Sequence, residues 1–177
     1  MHAKGEKQMS AGNYPPRTIL VPVDFGPASA NALAVGAALA REFRASLEVL
    51  HVEVLDAPPY FTHEQVTALE IQRKNARAAA ERYLRRFVEE HGAPEARVVL
   101  ADGSPAEVIL EHAKRTDVVV MGTNDRSRAA KLWLGSVAER VNRQSRVPVI
   151  VVHASGALTP EEYAGFLREE TARRRNG

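Results

Sequence analysis

The sequence predicts an α/β fold: an open, doubly wound sheet of five parallel strands with helices on both faces. Three observations lead there. Five short runs rich in β-branched residues recur along the chain. They are near-continuous in apolar character rather than alternating, as strands covered on both faces are. Stretches with apolar residues at helical spacing separate them, so neighbouring strands are joined by crossover connections, which are right-handed almost without exception.

The elements follow in order. The first strand is Thr18–Val23 (TILVPV), and Gly26-Pro27 then opens a helix over Ala28–Phe43 with Ala32, Val35, Leu39 and Phe43 on one stripe. Leu47–Val54 (LEVLHVEV) is the second strand. A long helix is expected over 62–91, with Val66, Leu69, Ala76, Ala80, Tyr83, Leu84 and Phe87 as its apolar positions and Glu81 to Arg85 as an i,i+4 pair on the exposed side. Val98–Ala101 (VVLA) makes the third strand, and Ser104-Pro105-Ala106-Glu107 has the form of a capping box with proline in the first turn. Val118–Met121 (VVVM) is the fourth strand; Ser136-Val137-Ala138-Glu139 repeats the capping-box pattern, and Val147–Val152 (VPVIVV) closes the sheet. Residues 1–16 read as a flexible extension, 17–153 as the domain, and 154–177 as an extension with a short helix beginning near Thr159-Pro160.

Composition narrows the function classes. A chain of 177 residues, 45% hydrophobic and 26% charged, has the balance of a globular domain with a core. No apolar run approaches the roughly 18 residues of a membrane span, and the start of the chain lacks the apolar segment of a secretory signal. With no cysteine, disulfides, thiolate metal sites and thiol nucleophiles are excluded, and a reducing cytoplasm is the expected location. A net charge of +2 does not point to nucleic acid. The local basic cluster of Arg126, Arg128, Lys131, Arg140, Arg143 and Arg146 reads as a solvated helix face. The histidines His51, His63, His91, His112 and His153 show no paired ligand spacing, so a metal is not expected from them. Trp133 reads as a packing or dimer-contact residue.

In an open parallel sheet ligands bind beyond the carboxyl ends of the strands. That rule selects Asp24-Phe25-Gly26, the segment after Val54, Asp102-Gly103-Ser104 and Gly122-Thr123-Asn124-Asp125. The last connection, rich in small and polar residues, runs on to Gly135-Ser136 at a helix start. Two readings stand side by side: a plain turn, or a phosphate cradle of backbone N–H groups and a hydroxyl. Asp24 likewise reads either as a group serving the helix that follows or as a ligand acceptor.

The segment MGTNDRSRAAKLWLGSVAERVNRQSRVPVIVV resembles the signature region of the universal stress protein family. Nucleotide-binding members carry glycine, two residues, glycine, nine residues, then glycine followed by serine or threonine; here Gly122, Gly135 and Ser136 match, and Asp125 stands at the second glycine. The opening ILVPVDFG, the second strand VLHVEV and the stretch GSPAEVILEHA agree as well, so the resemblance spans Arg17 to Val152. It implies an adenine nucleotide alpha hydrolase-like, Rossmann-like domain that binds ATP or AMP as a stress-response protein. By the same resemblance Pro22 and Asp24 would meet adenine and ribose, Val52 the base, and Met121 and Gly122 the ribose and phosphates. Gly135, Ser136 and Val137 would offer N–H groups and a hydroxyl to the phosphates. It also implies a homodimer through the last strand, with Val147, Val149, Ile150 and Val151 at the interface, which agrees with the pairing hazard of an open, two-sided apolar edge.

Asp125 bears directly on the phosphates. A carboxylate about 4 Å from one phosphate charge, at an effective dielectric of about 20, is repelled by roughly 4 kcal/mol. Arg126 and Arg128 offset this, and a magnesium ion bridging carboxylate and phosphates would as well. AMP is therefore expected to suffer less than ATP. The rival classes are an enzyme and a pure interaction protein. No G-x-S-x-G elbow, phosphate loop, Ser-Gly-Gly run or His-Ile-Gly-His sequence occurs, and no residue is placed as a general base, so clear turnover is not expected and a weak ATPase is the enzymatic alternative.

Overall fold

The computed structural model describes residues 15–54, 63–123 and 135–154, with the side chains of 63–73 and 75 left aside. The expected N-terminal extension, the C-terminal helix, and Asp125, Arg126 and Trp133 lie outside the described residues. Strand and helix alternate as β1 (Thr18–Pro22), α1 (Pro27–Phe43), β2 (Ser46–Glu53), α2 (His63–Glu90), β3 (Arg97–Asp102), α3 (Pro105–Ala113), β4 (Val118–Thr123), α4 (Ser136–Gln144) and β5 (Val149–His153). All pairings are parallel and the spatial order is β3-β2-β1-β4-β5. The chain winds outward from β1 through β2 to β3, then returns to the other side of β1 for β4 and β5. The order reverses between β1 and β4, and that crevice is where such sheets bind ligands.

Each face of the sheet has its own apolar core. Ile19, Val21, Val49 and Val120 point to the side where Leu33 and Val35 of α1 and Leu84, Phe87 and Val88 of α2 pack. Leu20, Leu50, Val119 and Met121 point to the side of Ile109 of α3 and Val141 of α4. Strands buried on both faces account for the near-continuous apolar runs in the sequence.

Several local expectations change. α2 has the expected span and its Glu81–Arg85 pair at 3.8 Å. Its buried stripe, however, is centred on Leu84, Phe87 and Val88, which leaves Tyr83 56% exposed and Ala76 at the surface. The sheet begins its last strand at Val149 rather than Val147, because Pro148 has no N–H and contributes only its carbonyl, to the N–H of Val119 at 3.0 Å. Neither capping box forms. Ser104 is the N-cap of α3 without a side-chain bond, and Glu107 instead accepts from Arg140 at 2.8 Å. At α4 the N-cap is Gly135, one residue earlier, and Glu139 accepts from Arg143 at 3.4 Å. These ion pairs hold two arginines of the basic cluster against carboxylates.

The amino ends of the strands are closed by polar side chains. Asp117, just before β4, accepts through Oδ2 from Arg17 N–H, Thr18 N–H and the Thr18 hydroxyl, each at 2.9 Å. Burial pushes its carboxyl up, but these bonds outweigh burial and hold it below the usual carboxylate range. On β2, Glu48 Oε1 accepts from His112 Nδ1–H at 2.6 Å and Oε2 from Arg97 at 3.1 Å, with both acid and imidazole largely buried. His112 thus spends Nδ1 on the acid of the neighbouring strand. Among the described residues no cluster of three His, Cys, Asp or Glu side chains is placed to hold a metal. Nor is any described helix long and apolar enough to cross a membrane.

Candidate functional site

A cavity of about 270 Å³ opens at the carboxyl ends of β1, β2 and β4, between the starts of α1, α3 and α4. Its floor is apolar, from Leu50, Val52, Ile109 and Met121. Its rim is small and polar: Asp24 and Ser29 after β1, Gly122 and Thr123 at the end of β4, and Gly135, Ser136 and Val137 where α4 begins. The fold therefore brings together Pro22, Asp24, Val52, Met121, Gly122, Gly135, Ser136 and Val137, residues from four separated stretches of sequence.

Gly122 is there for packing. A Cβ on it would meet the backbone of α1 at 2.4 Å from Ala28 C and 2.6 Å from Ser29 N. Only glycine lets β4 run this close under the start of α1, and that approach brings the Asp24 turn beside the end of β4. Gly135 is different: a Cβ there would come no nearer than 3.9 Å, to Thr123 Oγ1, so the packing of this protein leaves room for a side chain. Nor is its N–H offered outward, as the resemblance implied. It donates to Thr123 Oγ1 at 3.1 Å, tying the start of α4 to the end of β4. The first-turn amides and the hydroxyl at Ser136 and Val137 are what this end of α4 presents to an anion.

Asp24 both shapes its own turn and borders the cavity. Its Oδ1 accepts from the N–H of Gly26 at 2.9 Å, its N–H donates to Ser29 Oγ at 3.3 Å, and that hydroxyl donates to the carbonyl of Gly26 at 2.9 Å. Gly26, not Asp24, is the N-cap of α1. Between them Phe25 sits in the left-handed region at φ 62. For a bulky L-residue that conformation costs about 1–2 kcal/mol and persists only where the surroundings hold it.

Sequence reasoning did not single out Ser29, Pro105 or Ile109 as site residues, and named Thr123 only as part of the loop after the fourth strand. Thr123 carried no signal beyond its place at a strand end, and it is 2% exposed. Pro105 and Ile109 carried the signature of a helix start and its apolar stripe; only the packing of α3 beside β1 turns them toward the cavity.

A sheet of this order, with a cavity at its switch point bordered by an acid after β1 and a glycine-bearing helix start after β4, defines a Rossmann-like α/β domain. The universal stress protein family matches residues 16–153, and the chain belongs to that family. It is 31% identical over 144 residues to the universal stress protein MJ0531 of Methanocaldococcus jannaschii, covering 77% of this chain and 81% of that one. A shorter match, 44% identical over 55 residues, covers 30% of this chain and 33% of the stress response protein NhaX of Bacillus subtilis. Among solved structures, the universal stress protein UspA from Lactobacillus plantarum superposes with a TM-score of 0.56 at 27% identity, over 76% of this chain and 96% of that one. A universal stress protein in complex with cAMP superposes with a TM-score of 0.57 at 21% identity, over 79% of this chain and 99% of that one.

Proposed function

We propose that this universal stress protein binds an adenine nucleotide, AMP or ATP, in the cavity at the β1–β4 switch point. It acts in the cytoplasm as a stress-response regulatory or protective protein, by binding rather than turnover. The observation that carries this reading is the meeting of Asp24, Val52, Met121, Ser136 and Val137 around one cavity. The donor set fits the ligand. The apolar floor suits a purine, the acid suits ribose hydroxyls or base N–H groups, and the amides of α4 suit a phosphate. A volume of about 270 Å³ lies just below the range of about 300–1,000 Å³ common for small-molecule pockets, which favours base and ribose inside and phosphates toward α4. The cAMP complex of the structural neighbour supports the same class of ligand. Magnesium enters this reading only with the phosphates, since no described cluster of side chains is placed to hold it alone.

Calorimetric titration of AMP and ATP, with and without magnesium, into the wild type and Asp125→Gly tests the assignment. We expect AMP to bind the wild type, and Asp125→Gly to tighten ATP more than AMP, by up to about a thousandfold if the charge acts unscreened. Equal affinities in the two proteins would remove any role for Asp125. Failure of the wild type to bind either nucleotide would leave the interaction-protein reading, which Asp125 in place of the signature glycine favours.

The homodimer through β5 belongs to the same proposal. The sheet has two edges. On β3 the Leu100 carbonyl is taken by Arg77 at 2.7 Å, and the same guanidinium meets Asp102 at 2.9 Å. Among the described residues β5 pairs with β4 alone, and the second copy would pair along its outer side. Light scattering at micromolar concentration should give twice the 19.4 kDa chain mass; a monomer overturns the pairing.

A further inference from the structure

We propose that Phe25 is a positioning residue for the Asp24 carboxylate, and that the grip comes from rings of α2 and β2. Phe25 does not line the cavity; its two neighbours in the turn do their work through it. Its backbone stands at φ 62, a conformation that glycine or asparagine adopts readily and phenylalanine rarely does. What holds it there is its ring. The ring lies 4.3 Å from that of His51, 4.7 Å from Tyr83 and 5.3 Å from Phe87, edge-on to the latter two at 76° and 82°. His51 is fixed in turn, its Nδ1–H donating to the carbonyl of Val23 at 2.8 Å.

With the ring pinned, the chain reverses at position 25, so that the N–H of Gly26 meets Asp24 Oδ1 at 2.9 Å and the hydroxyl of Ser29 closes the turn. The carboxylate that borders the cavity is thus aimed by an aromatic stack of which His51 also lines the cavity, while Tyr83 and Phe87 come from α2. One member of the stack, Tyr83, is 56% exposed, so contact at the surface of α2 bears on the Asp24 turn. This inference rests on the reading of Asp24 as a nucleotide contact, but its physical core does not.

The test uses the full chain and two readouts: amide exchange at Gly26 by NMR, and AMP affinity by calorimetry. Phe25→Gly keeps the left-handed backbone available and removes the ring. It should raise Gly26 exchange and weaken AMP by about tenfold each, with the amides of Leu20 and Val21 unchanged. Phe25→Tyr retains the stack and should restore both values. Tyr83→Ala, at an exposed position that leaves the core intact, should raise Gly26 exchange about threefold, and it decides the matter should Phe25→Gly fail to fold. Unchanged Gly26 exchange in these variants overturns the proposal, as does a loss of AMP affinity that merely follows global stability. If the wild type binds no AMP, the nucleotide reading falls alone, and Gly26 exchange still decides the role of Phe25.

Discussion

At the amino ends of the strands, Asp117 answers three donors from Arg17 and Thr18, and Glu48 answers His112 and Arg97. At the carboxyl ends of the same sheet, Asp24 folds back on its own turn and the first-turn groups of α4 border a cavity. Both ends are made of an acid, a hydroxyl and backbone N–H groups. The difference is what faces them. At the amino end the polar groups come from neighbouring strands and from α3 and satisfy one another. At the carboxyl end the starts of α1, α3 and α4 border a cavity. A closed polar end stabilises the fold, whereas an open one leaves binding capacity for a ligand.

Two substitutions test that contrast. The larger effect is expected where the open end is also structural. Gly122→Ala places a Cβ against the Ala28 backbone at 2.4 Å. It should lower stability by about 3 kcal/mol in chemical denaturation, and weaken AMP as well, since α1 and the Asp24 turn must shift. A variant as stable as the wild type would break the argument that glycine is needed there. The smaller effect belongs to the closed end. Asp117→Ala removes the acceptor of three bonds and should cost about 2 kcal/mol at neutral pH while leaving AMP affinity unchanged. Because the folded carboxyl titrates below its unfolded value, its contribution is present above the unfolded carboxylate pKa of about 3.9 and is lost as pH falls through the folded one. The stability gap between wild type and variant should therefore narrow only in that acid range. A change in AMP affinity on Asp117→Ala would erase the distinction between the two ends.

Much of this was legible from residues alone. The five apolar runs, Gly26-Pro27 before α1 and Pro105 before α3 are local signals, set by backbone propensity and by the burial of both sheet faces, and they survive into the structure with shifts of one or two residues. The signature glycines and Asp24 were legible through the family resemblance. The capping boxes were not: whether Glu107 turns back on its own helix or reaches Arg140 depends on a neighbour 33 residues away. Tyr83 escaped for a similar reason, since the periodicity of α2 sets the width of its apolar stripe but not which margin meets the sheet.

What the sequence determined by itself is the alternation of strand and helix, the two-faced burial of the sheet, the family, and the loops from which a site could be drawn. Only the tertiary structure decided that Gly122 serves packing under α1, that the Gly135 N–H is spent on Thr123, and that Phe25 is pinned by rings of β2 and α2. The physical reason is range. Propensity, capping and periodicity act over a few residues and are written in the local sequence. A Cβ clash, a hydroxyl in reach of an amide or a stack of rings depends on which distant segments the fold sets side by side.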